Sequence, residues 1–392
     1  MAVGQWARNE KTGERTMAIV IGKNKNGETL NSSDGVTDGI DTIIGNAGAD
    51  TIYAGGGDDL IKGGGGADII DGQAGRDGVT YEDSAVGVEV SLVTGKGKGG
   101  TAEGDKLTSI EDVYGSQFDD KLIGNSKDNT LGGDDGNDTL KGGGGSDTLM
   151  GGAGNDILEV DGSGDTVDGG EDNDTIVLKS DKGLEINLNS VFIDENANGA
   201  GIAFGGHNSP YWEGIGHQKP SQPHFPSDPV EVTNVENVIG SSYDDDIYGN
   251  DVANNLSGGN GNDVLAGGAG DDILSGGNGN DIIHGGSGAD LLTGGLNSDT
   301  FIFFSPDDSR IVGGKPEDVI TDFQQGTDKI DLSHIDFGLN ELLSLDNQNV
   351  GGTNYSYVGI DANQNGMFDE GEFAIAVKVA AGTILNSGDL LI

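Results

Sequence analysis

Large apolar residues recur every ninth position in three stretches of the chain. They include Ile52, Ile61 and Ile70, then Leu140, Leu149 and Leu158, then Leu265, Leu274, Ile283, Leu292 and Phe301. Each stands two residues after an aspartate, and each aspartate closes a glycine-rich stretch such as Gly142-Gly143-Gly144-Gly145-Ser146-Asp147. A solvated Gly/Asp linker would have no reason to place an apolar residue on this clock. The triplet centred on each apolar residue predicts a short strand with its middle side chain inward. The six residues before it predict a tight turn, because glycine alone adopts positive φ without steric cost. Two such units make one coil of 18 residues, so equivalent turns stack 18 apart. The expected fold class is all-β: a parallel β-roll solenoid in three blocks, with β spacers and a β-rich C-terminal cap.

The turns also carry the candidate chemistry. Glycines let backbone carbonyls turn toward one point, and the aspartate adds a carboxylate. An oxygen-only donor set of this kind suits a hard cation, and Ca²⁺ tolerates irregular geometry. Strands ~4.8 Å apart and Ca–O bonds of ~2.4 Å let one ion sit between successive loops. The expected ligands are Asp50, Asp59, Asp68 and Asp77 in the first block. In the second they are Asp138, Asp147, Asp156, Asp165 and Asp174, and in the third Asp263, Asp272, Asp281, Asp290 and Asp299. Asp41 opens its block behind a poor loop, and Asn129 and Asn254 replace the carboxylate, so those turns should bind weakly. The repeat count predicts roughly ten calcium ions.

Composition makes the cation a condition of folding. The chain holds 67 acidic and 20 basic residues, a net charge of −47, with 74 glycines and only 33% hydrophobic residues among 392. Such a polymer resembles a disordered one until something neutralises it. Each site filled at ~1,000 times its dissociation constant adds ~4 kcal/mol. The charge excludes nucleic acid as a natural partner and disfavours an anionic membrane surface. There is no cysteine, so calcium and not disulfide is the expected staple. No apolar run is long enough to span a membrane, and the first 33 residues hold no signal-peptide core.

Along the chain we expect an N-terminal lead (1–36), a first block (37–80), a β spacer (81–114), a second block (115–177), a second spacer (178–239), a third block (240–302) and a C-terminal part (303–392). The spacers are copies: Leu107-Thr108-Ser109-Ile110-Glu111 matches Val232-Thr233-Asn234-Val235-Glu236. The second carries an insertion, about 194–230, with His207, His217, His224, Tyr211 and Trp212. It reads as an exposed Pro-rich loop, with a sugar or metal site as the alternative. Near the C-terminus, Asp361, Asn363, Asn365, Asp369 and Glu372 hold the spacing of a twelve-residue calcium loop, with Gly366 at its turn. Its flanks, Tyr355–Val358 and Phe373–Val377, alternate like strands, so a calcium loop on a β-hairpin is expected rather than an EF-hand.

The nonapeptide Gly-Gly-x-Gly-x-Asp-x-(apolar)-x resembles the calcium-binding repeat of RTX proteins. Asp318-Val319-Ile320-Thr321-Asp322-Phe323, Gly326-Thr327-Asp328-Lys329-Ile330-Asp331 and the terminal Asp389-Leu390-Leu391-Ile392 resemble the C-terminal domain of serralysin-type members. That resemblance implies a cap on the roll edge and a C-terminal secretion signal read by a type I (ABC) apparatus of Gram-negative bacteria. It implies a secreted, extracellular protein. The catalytic motifs of RTX enzymes are missing: there is no His-Glu-x-x-His and no Gly-x-Ser-x-Gly. Two readings follow. The first is a non-enzymatic calcium-binding protein acting at the cell surface or in the extracellular matrix. The second is an accessory that binds or modifies extracellular polysaccharide, similar to the R-modules of alginate epimerases.

Overall fold

The structure, a computed structural model, describes residues 18–23, 27–31, 33–161, 164–179, 185–188, 231–313, 315–335, 341–350, 353–361, 368–369, 371–379, 385 and 388–392. The lead up to residue 17 and the 194–230 insertion lie outside the described residues. The chain divides into two compact units, Met1–Ile176 with Ser227–Val235, and Val177–Pro226 with Glu236–Ile392.

Each unit is a β-roll with two parallel ladders. In the first unit one ladder runs through Ala18–Ile21, Asp41–Ile44, Leu60–Lys62, Gly78–Thr80, Asp112–Tyr114, Thr130–Asp135, Thr148–Ala153, Thr166–Glu171 and Glu231–Thr233. Inside the blocks its register is one coil: Thr130 pairs with Thr148, Leu131 with Leu149, and Leu149 with Val167. The opposite ladder shows the same step, Leu122 to Leu140 to Leu158. This is the 18-residue coil that the doubled nonapeptide predicts. The central residue of each triplet is fully buried, as at Ile43, Ile52, Ile61, Ile70, Leu131, Leu140 and Leu149. Each such side chain contributes about 1.5–3 kcal/mol of burial. The interior is thus a column of stacked Ile and Leu between two glycine-turn edges.

The first spacer keeps both ladders alive at longer steps. Ile70 pairs with Leu107, Val79 with Val113, and Val90 with Leu122. Its antiparallel strand Lys96–Lys98 pairs with Glu89–Ser91 and touches Lys106. The extra residues of the first spacer are therefore a loop pushed out of one coil, and the stack is not interrupted there.

In the second unit one ladder runs through Glu185–Asn187, Asp246–Tyr248, Val264–Ala269, Ile282–Ser287, Thr300–Ile302, Lys329–Asp331 and Leu390–Leu391. The other runs through Asn237–Ile239, Asn255–Asn260, Ile273–Asn278, Leu291–Leu296, Val319–Ile320 and Ala374–Lys378. It ends in the antiparallel strands Thr353–Asp361 and Glu341–Val350. The C-terminal segment thus adds rungs to both ladders of the third block. A single long hairpin finishes one of them, and such a finish protects a sheet edge that would otherwise be open.

Candidate calcium turns

Every aspartate on the nine-residue clock is buried, although each carries a charge in water. Asp68, Asp77, Asp174 and Asp263 have no exposed surface, and Asp50, Asp138, Asp147, Asp156, Asp165, Asp272, Asp281, Asp290 and Asp299 have about 1%. One oxygen of each carboxylate has a fixed task. Oδ1 accepts the backbone N–H of the aspartate one coil earlier: Asp50 donates to Asp68 at 2.7 Å, Asp138 to Asp156 at 2.7 Å, Asp147 to Asp165 at 2.9 Å and Asp272 to Asp290 at 2.9 Å. Asp59 and Asp77, Asp156 and Asp174, Asp263 and Asp281, and Asp281 and Asp299 are joined in the same way. The Asp pairs that stacking predicts are therefore real neighbours.

The second oxygen is different. Among the described residues, Oδ2 of Asp50, Asp59, Asp68, Asp77, Asp138, Asp147, Asp156, Asp263, Asp272, Asp281, Asp290 and Asp299 is buried and meets no donor. A buried carboxylate oxygen without a donor costs several kcal/mol. Around it the turn leaves a space shaped by glycine. A Cβ placed on Gly267 would meet Asp272 Oδ2 and, at 2.5 Å, the carbonyl of Gly285 one coil later. Gly276 is hemmed by Asp281 Oδ2 and by Gly294 O at 2.7 Å, and Gly151 by Asp156 Oδ2 and Gly169 O. Carboxylate and carbonyl oxygens thus converge over one bare Cα in turn after turn, and this donor set fits Ca²⁺.

Electrostatics agrees with geometry. Burial pushes the carboxyls of Asp77, Asp138, Asp147, Asp263, Asp290 and Asp299 up to about 7, and those of Asp59, Asp68, Asp156, Asp272 and Asp281 up to about 6. The amide hydrogen bonds pull them down, and neighbouring carboxylates such as Asp281 beside Asp263 push them further up. Burial also raises Asp50. The turns are built for carboxylates that the protein alone does not neutralise. Among the described residues no three His, Asp or Glu side chains form a self-contained metal cluster. Each turn brings one carboxylate, so carbonyls must supply the remaining oxygens.

The row continues beyond the repeats. Asp68 N–H donates to Asp105 at 2.8 Å and Asp77 N–H to Glu111 at 3.2 Å, across the first spacer. Asp290 donates to Asp318 at 3.0 Å and Asp299 to Asp328 at 3.2 Å. Asp318 is fully buried, its Oδ2 meets no donor among the described residues, and burial raises its carboxyl to about 9. Sequence reasoning passed over these four because they fall off the nine-residue clock. The surviving signal is an acidic residue two before an aliphatic one: Asp105/Leu107, Glu111/Val113, Asp318/Ile320 and Asp328/Ile330.

The loop at 361–372 is only partly described. Its flanks pair antiparallel, Tyr355 with Lys378 and Gly359 with Ala374, as the alternation predicts. Asp369 N–H donates to Glu372 Oε2 at 2.8 Å. Asn363 and Asn365 lie outside the described residues. At the C-terminus, Leu390–Leu391 lies parallel to Ile330–Asp331. Asp389 is buried and accepts from Gly326 N–H at 3.1 Å and Gln325 Nε2 at 3.2 Å.

Comparison with known proteins matches these turns to a family. The RTX calcium-binding nonapeptide repeat, a four-copy pattern, matches residues 36–70, 44–79, 114–149, 141–176, 239–274 and 266–301. The chain carries RTX calcium-binding nonapeptide repeats over these residues, and they fold as a β-roll. Among curated proteins, none matches it. Similar solved structures include the R2 subunit of the Azotobacter vinelandii mannuronan C5-epimerase AlgE6, at 28% identity over 37% of this chain and 90% of that one, with a TM-score of 0.29. The R3 subunit of the same enzyme shares 28% identity over 39% and 80%, with a TM-score of 0.21. The extracellular lipase LipA of Serratia marcescens shares 14% over 70% of this chain and 40% of its own length, with a TM-score of 0.16. No helix among the described residues is long and apolar enough to cross a membrane.

Proposed function

We propose that this is a secreted, non-enzymatic RTX protein that leaves the cell unfolded through a type I (ABC) system and folds on calcium outside, to act at the cell surface or in the extracellular matrix. The observation that carries this reading is the row of buried carboxylate oxygens without donors, each facing carbonyls across a bare glycine. A chain of net charge −47 that buries this row cannot stay folded without cations, so the fold switches with calcium concentration. Asp50, Asp59, Asp68 and Asp77, then Asp138, Asp147, Asp156 and Asp174, then Asp263, Asp272, Asp281, Asp290 and Asp299 of the nonapeptides are the proposed ligands. Asp318, which accepts the Asp290 N–H on the same row and has a bare Oδ2, is proposed in the same role, and the 361–372 loop is proposed as one site more. Low cytosolic calcium keeps the chain extended for export, and external calcium folds it.

The export half of the reading rests on Asp389–Ile392. In the folded unit Leu390–Leu391 is a ladder strand and Asp389 is buried. Leu391 and Ile392 stay exposed, but the Asp389 carboxylate and the strand backbone are engaged in the fold, so an exporter that reads all four residues would meet them in the unfolded chain. The test is far-ultraviolet circular dichroism and small-angle scattering in EGTA and in millimolar Ca²⁺. The expected result is an expanded, disordered chain in EGTA and a compact β-rich one in calcium. A β-rich signal that EGTA leaves unchanged overturns the proposal.

A further inference from the structure

We infer that the backbone conformation four residues before each ladder aspartate decides whether a turn takes calcium or closes on itself, and that the first coil of the second and of the third block is a calcium-independent platform. The inference rests on the calcium reading above and sorts its turns.

Two kinds of turn occur. In one, the residue at −4 has positive φ: Gly55 before Asp59, Gly64 before Asp68, Gly143 before Asp147, Gly152 before Asp156, and Gly259, Gly268, Gly277, Gly286 and Gly295 through the third block. Its N–H then turns away from the carboxylate, and Oδ2 is left without a donor among the described residues. Conformation matters here rather than glycine as such. Asn46, Gln73 and Asp134 hold the same place at φ 80°, 70° and 82°, and Oδ2 of Asp50, Asp77 and Asp138 is equally bare.

In the other kind, the −4 residue is not left-handed and its N–H points at the carboxylate. Thr37 N–H donates to Asp41 Oδ2 at 2.6 Å, Ser116 N–H to Asp120 Oδ2 at 2.5 Å and Ser241 N–H to Asp245 Oδ2 at 2.7 Å. The hydroxyl of the same residue adds a second donor, Ser116 Oγ to Asp120 Oδ1 at 2.9 Å and Ser241 Oγ to Asp245 Oδ2 at 2.9 Å. Asp161 N–H reaches Asp165 at 3.3 Å, and Gln324 N–H reaches Asp328 at 2.7 Å. Where the acid itself is replaced, Asn125 N–H donates to Asn129 Oδ1 at 2.7 Å, and Asn250 N–H to Asn254 Oδ1 at 2.8 Å. The amide groups of Asn129 and Asn254 then donate to the carbonyls of Glu111 and Glu236.

The two classes differ in what Oδ2 can offer a cation. An N–H aimed at Oδ2 takes one of its acceptor sites and brings a positive hydrogen to the side on which the ion would approach. Asp120 with Asn129, and Asp245 with Asn254, form the first coil of blocks two and three, closed on both edges. Blocks two and three therefore start from a coil whose turn carboxylates and amides the protein satisfies unaided, and calcium is required there only from the next coil onward; the first block differs, because its opening coil pairs the closed Asp41 with the bare Asp50. Asp165, placed among the ligands by its spacing alone, belongs to the closed class.

The test counts calcium bound per full-length chain by equilibrium dialysis. Asp272→Asn should lower the count by at least one, and Asp245→Asn should leave it unchanged. A gain-of-site pair keeps the inference testable if Asp245→Asn fails to fold. Asn254→Asp alone should add nothing, because the Asn250 N–H still faces the carboxylate. Asn254→Asp combined with Asn250→Gly, which frees the −4 position for positive φ, should add one ion. A loss in Asp245→Asn equal to that in Asp272→Asn overturns the inference, as does a full gain from Asn254→Asp alone. A wild-type chain that binds no calcium would instead overturn the calcium reading itself.

Discussion

Protons and calcium should act as alternative neutralisers of the turn carboxylates, and the sign of the pH effect separates this from ordinary acid denaturation. In the calcium-free fold, Asp147, Asp263, Asp290 and Asp299 titrate near 7 because burial disfavours their charge, against about 3.9 in an unfolded chain. A group whose folded pKa is raised holds more protons in the folded state, so its support for folding is complete below pH ~4 and is lost as pH rises through ~7. Moving from pH 7 to pH 5 favours the calcium-free fold roughly fifty-fold for each carboxyl near 7, and about tenfold for each near 6. The calcium-loaded fold and the unfolded chain both carry these groups ionised between pH 6 and 8. The calcium midpoint should therefore be nearly flat there and rise only below about pH 5. The assay is circular dichroism in two arms: acidification in EGTA from pH 8 to 5, and calcium titrations at pH 8, 7 and 6. The expected result is β-structure gained on acidification without calcium, with an unmoved calcium midpoint. An EGTA sample that stays disordered at pH 5, or a midpoint that climbs tenfold per unit between pH 8 and 6, refutes the reasoning.

Gly267→Ala should place a methyl against Asp272 Oδ2 and Gly285 O, costing about 1–3 kcal/mol and one calcium; an unchanged calcium count and melting temperature would contradict the cradle. Leu274→Ala empties a fully buried rung and should cost about 2–5 kcal/mol in calcium-saturated urea unfolding; a loss below ~1 kcal/mol would deny the stacked core. Deleting Asp389–Ile392 should trap the chain inside cells carrying the matching exporter while leaving a calcium-folded product that is frayed at one end. Export at the full rate would move the signal elsewhere.

The coil length, the buried column and the paired aspartates were legible because one physical unit repeats in phase, so each position is stated many times over. Ile52 at the centre of one triplet tells what Ile70 does a coil later. Legibility failed where the clock was broken. Asp105, Glu111, Asp318 and Asp328 continue the row at steps of 28 to 37 residues, because loops have been inserted within a coil. Only the acidic-x-aliphatic remnant marks them. The division of the turns was also hidden. Gln73 and Asp134 behave as glycines do at their positions, whereas Thr37 and Ser116 do not, and residue type alone does not tell these polar positions apart. The conspicuous Asp165 was assigned by its spacing, but the N–H of Asp161 faces its carboxylate.

The Oδ1 hydrogen bonds have an arrow. In each one the later coil supplies the acceptor and the earlier coil the donor: Asp263 leans on Asp281, Asp281 on Asp299, and Asp299 on Asp328. A coil that has formed near the C-terminal end presents a fixed carboxylate to the next segment upstream, whereas a coil formed at the other end presents only an amide still waiting for its partner. Growth of the roll toward the N-terminus would therefore meet a side-chain acceptor at every step, and growth toward the C-terminus a backbone donor. A chain that met calcium tail first would have its template ready before each new rung arrived.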